Sequence, residues 1–354
     1  MRDTFNLNAA RGEVVPLGGI VQCYGGTSIQ WWSSAEALAA CPLSATNPGS
    51  ACCGYGGNAS CLYNSQIAPY TLGPMQLSAV YWYQSEQNAG CGGPPQIPYY
   101  ACALPALISD WRSKFGNPEL PFGVYLLAAW QASTPAFPLM RLVQVGTSLT
   151  VPNVATCSTL DAGQPLGGGP VHSPYKQLPA SRCSSAMQAL VYGQAAAPYR
   201  GPRALPATAA AAPSGSPGGG TRVTLAFEAP APGGALALNT SVACPPTIAN
   251  ASCEAFALQR GAPDCRWVQS APGGPARASL SADGRALQLD LGDGGNVSAV
   301  RGFFGNWPLV QLRNGAGLPA EPWLVNVSAA AGGGAPGPPP SAGEGEWVDD
   351  GRHA

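Results

Sequence analysis

Leu77-Ser78-Ala79-Val80-Tyr81-Trp82-Tyr83 is an apolar run of strand length, and it stops at Gln84-Ser85-Glu86-Gln87-Asn88, a tip made of amides and a carboxylate. Short runs rich in Val, Tyr and Trp read as strands. Downstream, Tyr99 to Phe115 spaces Leu104, Leu107, Ile108 and Trp111 at three and four residues, with Asp110, Arg112 and Lys114 off that face, which predicts an amphipathic helix. Phe122 to Ala129 is a further strand, and Arg182 to Tyr192 a closing helix. Upstream, Val14 to Val21 reads as a buried strand ending at Tyr24-Gly25-Gly26-Thr27, with Ile29 to Ala39 as the helix after it. Strands alternating with helices predict a parallel sheet covered on both faces. Function in such sheets gathers at the carboxyl ends of the strands, where Tyr24-Gly25-Gly26 and Gln84 to Asn88 both fall.

The 354 residues suffice for two domains, and 45% apolar content can fill sizeable cores. Only 10% of residues are charged, against about 25% in ordinary soluble domains, while 46 glycines and 37 prolines mark much of the chain as loop. Residues 1–198 are read as the α/β domain. Residues 199–220, which lie in a longer stretch of Ala, Pro, Gly and Ser with almost no large apolar side chain, are read as a linker or exposed loop. Over 221–328, short runs such as Thr221 to Phe227, Ala255 to Arg260, Ala286 to Leu291 and Trp323 to Val327 predict an antiparallel β-sandwich. The Gly- and Pro-rich residues 329–354 read as a disordered tail.

A net charge of -1 with scattered Lys and Arg offers no footprint for nucleic acid or anionic lipid. No apolar run approaches the roughly 18 residues of a membrane span. No signal-peptide core opens the chain. Twelve cysteines and five sequons (Asn58, Asn239, Asn250, Asn296, Asn326) nevertheless suit an oxidising, glycosylating compartment. Their pairing is not readable, and Cys244, Cys253 and Cys265 leave an odd number in the second domain. No Cys and His cluster has zinc spacing, so neither a metal nor another cofactor is expected.

His172, in Val171-His172-Ser173-Pro174-Tyr175-Lys176-Gln177, is the sole histidine inside a foldable region, and it is the candidate general base. Asp161 could either orient its imidazole or cap a turn. Lys176 and Arg182 are expected at the surface. The bend at Gly25 and Gly26 could aim backbone N–H groups into a cleft, because glycine accepts positive φ, or be an ordinary strand-to-helix turn. Gln84 or Asn88 could donate to a developing oxyanion and Glu86 could orient a substrate hydroxyl; the alternative is a polar loop satisfying its own backbone. No serine stands in a recognisable nucleophile motif.

Taken in order, Val15-Pro16-Leu17-Gly18, Tyr24-Gly25-Gly26-Thr27-Ser28-Ile29, Trp32-Ser33-Ser34, Leu62-Tyr63-Asn64, Trp82 to Asn88, Asp110-Trp111-Arg112 and the stretch from Asp161 through His172 to Gln177 resemble the sialate O-acetylesterase family of SGNH hydrolases. Cys265-Arg266-Trp267, Asn306-Trp307-Pro308 and Pro322-Trp323 extend the likeness to about residue 328. The resemblance implies a flavodoxin-like SGNH three-layer α/β sandwich followed by a β-sandwich, a secreted or lysosomal protein, and removal of O-acetyl groups from sugars such as 9-O-acetylated sialic acid. It also implies a serine in a Gly-Gln-Ser-Asn type motif near the start of the α/β domain. That segment and the first strand of the sheet are absent, so the chain is expected to begin inside the domain and to leave a sheet edge prone to aggregation. Ser85 stands at the family's usual glycine, Gln87 at its usual serine and Ser173 at its usual proline, and Gly169 removes the Asp-x-x-His spacing.

Two readings follow. In one, the chain is an esterase whose serine lies outside this sequence, with His172 as base, Asp161 behind it, and Gly25, Gly26 and Asn88 as oxyanion donors. In the other, it is a degenerate relative that binds glycans or partners without acylating itself. A plant-polysaccharide esterase would share the chemistry of the first.

Overall fold

The computed structural model describes residues 18–42, 59–73, 75–90, 95–131, 136–166, 171–193, 198–214, 220–228, 234–249, 252–262 and 264–329. In the amino-terminal part these form α1 (Ile29–Trp32), α2 (Ala35–Ala40), a π turn (Tyr63–Ile67) running into α3 (Ala68–Thr71), β1 (Val80–Trp82), α4 (Ile97–Lys114), β2 (Phe122–Tyr125), α5 (Ala136–Thr150), β3 (Val154–Cys157) and α6 (Gln177–Tyr192). The strands pair in parallel in the order β1-β2-β3.

The sheet is buried on both faces at β2 and β3, while Tyr81 of β1 is exposed, and the alternation of β2 shows how. Phe122 and Val124 point into a core with Leu104, Leu107, Ile108 and Trp111 of α4 and with Phe137 and Met140 of α5. Gly123 points the other way, where a Cβ would lie 2.5 Å from the Cys183 sulfur of α6, so only glycine lets that helix sit so close. A Cys157–Cys183 disulfide fastens α6 to β3, and Cys41–Cys102 fastens the end of α2 to α4. Loops of these lengths make each bond worth about 3–4 kcal/mol in a chain-entropy account.

Several sequence expectations need correction. Of the strand expected over Val14 to Val21, the described part from Gly18 is exposed coil, with Val21 81% accessible. The helix expected from Ile29 to Ala39 is two helices, because Ser33 and Ser34 adopt extended backbone and Ser34 Oγ caps α2 by accepting from Ala37 N. Arg112 is buried, donating to the carbonyls of Leu120 and Pro152. Helix α5 and strand β3 were not foreseen.

The carboxyl-terminal part is a β-sandwich of β4 (Arg203–Ala204), β5 (Ala210–Pro213), β6 (Thr221–Glu228), β7 (Leu236–Leu238), β8 (Cys253–Glu254), β9 (Phe256–Arg260), β10 (Trp267–Gln269), β11 (Ala276–Leu280), β12 (Ala286–Leu291), β13 (Val297–Gly302), β14 (Trp307–Pro308), β15 (Leu312–Asn314), β16 (Trp323–Asn326) and β17 (Ser328–Ala329). One sheet runs β10-β9-β13-β16 and the other β11-β12-β6-β5-β17. Phe227, Phe256, Phe303 and Trp323 meet between them, with ring centroids 5.1–5.6 Å apart. Within the stretch read as a linker, β4 and β5 pair with β6. Alanine offers little to bury, but a strand's ladder is main chain, and an adjacent edge suffices. Cys244 pairs with Cys253, which leaves Cys265 as the odd cysteine. Of the sequons, Asn239, Asn296 and Asn326 are described and exposed. The residues expected as a disordered tail lie beyond the described ones after Ala329.

The two parts share a core. Leu126, Val145 and Leu160 pack with Val310, and Ala129 packs with Ile248, Cys253 and Trp307. Buried Glu321 accepts from Thr156 Oγ1 of β3 and pairs with Arg203 at 2.5 Å. The sandwich therefore abuts the segments that follow β2 and β3.

Candidate functional site

The tip after β1 is held by a closed set of hydrogen bonds. Asn88 is fully buried; its Oδ1 accepts from Ile29 N and from Gln84 Nε2, each at 2.9 Å, and its Nδ2 donates to Gln30 Oε1 at 3.0 Å and Gln96 Oε1 at 2.8 Å. Gln84 spends its second amide proton on Thr27 O at 2.9 Å, and its Oε1 accepts from Tyr100 OH at 3.1 Å. Tyr100 in turn accepts from Trp82 Nε1. Beneath lie Trp32, Trp82 and Trp111 in edge-to-face contact.

The same bonds bring in the glycine bend. Thr27 Oγ1 donates to Tyr24 O and accepts from Trp32 Nε1, so Tyr24-Gly25-Gly26-Thr27 is clasped between α1 and the tip. Gly26 has φ +70°, and both glycines are exposed in a turn. The bend and the tip, separate in sequence, are thus one construction.

His172 is exposed and makes no hydrogen bond among the described residues. Its segment nevertheless lies over the tip. Lys176 Nζ stands 4.9 Å from the centre of the Tyr83 ring, and the charges of both Lys176 and His172 reach Glu86. Glu86 is lifted above the ordinary carboxylate range by burial, a lift opposed by its own backbone N–H, by Lys176 and by His172. Tyr83, stacked on Tyr125 at 4.8 Å, is raised by burial and by the Glu86 charge.

Asp161 occupies the turn at Leu160 and Asp161 and does not reach His172 with a hydrogen bond. Its oxygens take Arg182 Nη1 at 2.6 Å, Arg182 Nη2 at 3.0 Å and Arg313 Nη1 at 2.9 Å. Burial opposes its ionisation, but the hydrogen bonds and charges of Arg182 and Arg313 outweigh it, and its pKa is lowered. Arg182, expected at the surface, is buried for the same reason. Asn88, expected as an oxyanion donor, has no amide proton left for one. Sequence reasoning also missed Gln30, Gln96 and Tyr100; a glutamine inside Ile29-Gln30-Trp31-Trp32, buried throughout, was the available signal.

This geometry invites comparison with known proteins. Sialate O-acetylesterase from Homo sapiens is 33% identical over 207 residues, 53% of this chain and 38% of that protein. The Rattus norvegicus enzyme is 30% identical over 233 residues, 53% of this chain and 42% of its own. Over that stretch the chain is similar in sequence to the sialate O-acetylesterases. It spans about two fifths of the length of these relatives. No family model matches it. A crystal structure of a carbohydrate acetylesterase from Xanthomonas citri superposes with a TM-score of 0.68 over 91% of this chain and 63% of the other, at 24% identity, and so shares the fold. Among the described residues no helix is long and apolar enough to cross a membrane, and no group of three or more His, Cys, Asp and Glu side chains is placed to hold a metal ion.

Proposed function

We propose that the chain forms the binding cleft and general-base side of a carbohydrate O-acetylesterase acting on sialic acid or a similar O-acetylated sugar in the secretory pathway. The observation that carries this is the clasp of Tyr24–Thr27 to the Gln84–Asn88 tip, with His172 in electrostatic reach of Glu86. The similarity to sialate O-acetylesterases supports the substrate class, and three disulfides among the described residues support the compartment.

In this reading a serine from outside these 354 residues attacks the acetyl carbonyl while His172 takes its proton. The amides of Gly25 and Gly26 receive the oxyanion. His172 then returns the proton to the departing sugar oxygen, leaving an acetyl-serine that water hydrolyses by the same relay. Gln84 and Asn88 hold the bend in place, and Asp161 anchors the turn ahead of the histidine segment. The departures of Ser85, Gln87 and Ser173 from the family pattern favour a second reading, a glycan-binding relative without turnover.

Acetate release from 9-O-acetylated sialic acid tests the proposal. The 354-residue chain should bind the sugar without sustained release. Joined to a segment bearing the serine motif it should turn over, and His172→Ala should lower that turnover about 1,000-fold or more. Turnover unchanged in His172→Ala would remove the proposed base; binding without turnover in the joined protein would establish the second reading.

A further inference from the structure

Helix α5 presents two polar side chains, one turn apart, that the reading above does not use. Arg141 is fully buried. Its Nε donates to Leu127 O at 2.7 Å, Nη2 to Ala128 O at 2.8 Å and Asn306 O at 3.0 Å, and Nη1 to Gly305 O at 2.8 Å. All four acceptors are main-chain carbonyls, and no carboxylate pairs with Arg141 among the described residues. Burial pushes its pKa down to about 9, so it remains a cation near neutral pH. A charge buried without a counter-ion is tolerated only where dipoles replace its water shell, and those dipoles are then held in turn.

The carbonyls come from two places. Leu127 and Ala128 follow β2 at the site end of the sheet; Gly305 and Asn306 lie in the sandwich between β13 and β14. Trp130 N donates to Asn306 O and strengthens the same junction. Gln144 continues the chain of contacts: its Oε1 accepts from Leu127 N at 3.0 Å, and its Nε2 donates to Tyr125 O at 2.8 Å and to Ser85 Oγ at 3.0 Å. Leu127 is gripped on both sides, its N–H by Gln144 and its C=O by Arg141. At either end of this relay stands a non-glycine residue at positive φ, Ser85 at +139° and Phe303 at +56°. Such conformations are costly for side-chain-bearing residues, most of all for a buried phenylalanine, and persist where the surroundings over-determine them.

We infer that Arg141 and Gln144 are positioning residues that tie the sandwich loop Phe303–Trp307 to the Gln84–Asn88 tip, making the β-sandwich a working part of the sugar site. The functional half of this rests on the proposed O-acetyl-sugar cleft; the mechanical half does not.

Hydrogen–deuterium exchange on the full chain separates the two. Arg141→Met should speed exchange at least fivefold in peptides spanning 84–90 and 303–307 while 177–192 is unchanged. Gln144→Met, which is milder, should do so in 84–90 alone. Arg141→Lys, whose compact ammonium cannot reach four carbonyls, should recover less than half of the protection. Binding of 9-O-acetylated sialic acid should weaken at least tenfold in Arg141→Met. Unchanged exchange at 84–90 in both methionine variants, or a rise that extends equally to 177–192, overturns the inference. Failure of the wild-type chain to bind the sugar counts against the proposed cleft and leaves the exchange comparison standing.

Discussion

The amide tip and the histidine segment approach each other around Tyr83 and Glu86, yet they are built in opposite ways. Asn88 and Gln84 are locked by bonds that use every amide proton they have, over a floor of three tryptophans. His172 is exposed, and what holds its neighbourhood is electrostatic: Lys176 over Tyr83, Arg182 and Arg313 around Asp161. A group that must keep a loop in one shape gains from full satisfaction in a low-dielectric interior. A group that must shuttle protons gains from room to move and access to solvent. The polarity of a residue therefore says little about its job until its partners are counted.

The largest expected effect separates these two constructions. Asn88→Ala would leave Ile29 N, one amide proton of Gln84 and Gln30 Oε1 unpaired in the interior, while Gln96 Oε1 keeps Gln30 Nε2, and at about 1–3 kcal/mol for each unsatisfied group the chain should lose about 3–5 kcal/mol even after relaxation. His172→Ala should change stability by no more than about 0.5 kcal/mol. Urea denaturation of the two variants reads both. Similar losses in each would mean that the histidine segment is built like the tip.

Asp161→Asn tests the electrostatic side. It leaves buried Arg182 without its carboxylate, and because Asp161 is 17% accessible the loss should fall somewhat below that of a fully buried pair, at about 2–3 kcal/mol near neutral pH. Asp161 has a folded pKa below its ordinary 3.8, so its stabilisation is present above that value and disappears as pH falls through the depressed one. Denaturation midpoints of wild type and variant should converge in acid. A gap that persists at low pH would point to packing in place of charge.

How much of this the sequence disclosed follows from the same contrast. β1 and β2 were legible as short apolar runs of strand length, and α4 as apolar residues spaced three and four apart. Helix α5 was not, since its buried face carries Arg141, Gln144 and Thr147 among the apolar residues, and a clamp made of polar groups erases the amphipathic pattern. β4 and β5 hid in an alanine-rich stretch because their pairing is main chain. Gly25, Gly26, Gln84, Glu86 and Asn88 were singled out by their place at strand ends, and hydrogen bonds do join the bend to the tip, but that Asn88 is saturated and Asp161 turned towards arginines depends on partners distant in sequence.

Ser85 offers a finer test, because it combines positive φ with a hydrogen bond to Gln144. Ser85→Gly removes both the strain and the bond; Ser85→Ala removes the bond and keeps the strain. Strain of this kind is worth about 1–3 kcal/mol, so the glycine variant should exceed the alanine variant by about 1–2 kcal/mol in thermal or urea melts. Equal stability of the two would show that the backbone at Ser85 carries no strain.

Glu86 should give the smallest effect and the one with the most telling sign. Its folded pKa is raised, burial being the largest cause, so the native state holds its proton more tightly than the unfolded chain does. Stability from this group is therefore full below the ordinary value of 4.5 and declines as pH rises through the folded pKa. Glu86→Gln removes the buried charge while its amide oxygen can still accept from the main-chain N–H groups of Ser85 and Glu86. Its melting temperature should exceed that of wild type near neutral pH, and the two curves should merge in acid. Were Glu86→Gln instead less stable at neutral pH, the Lys176 and His172 charges would have to outweigh desolvation, and the histidine segment would be pinned to the tip as firmly as the glycine bend is.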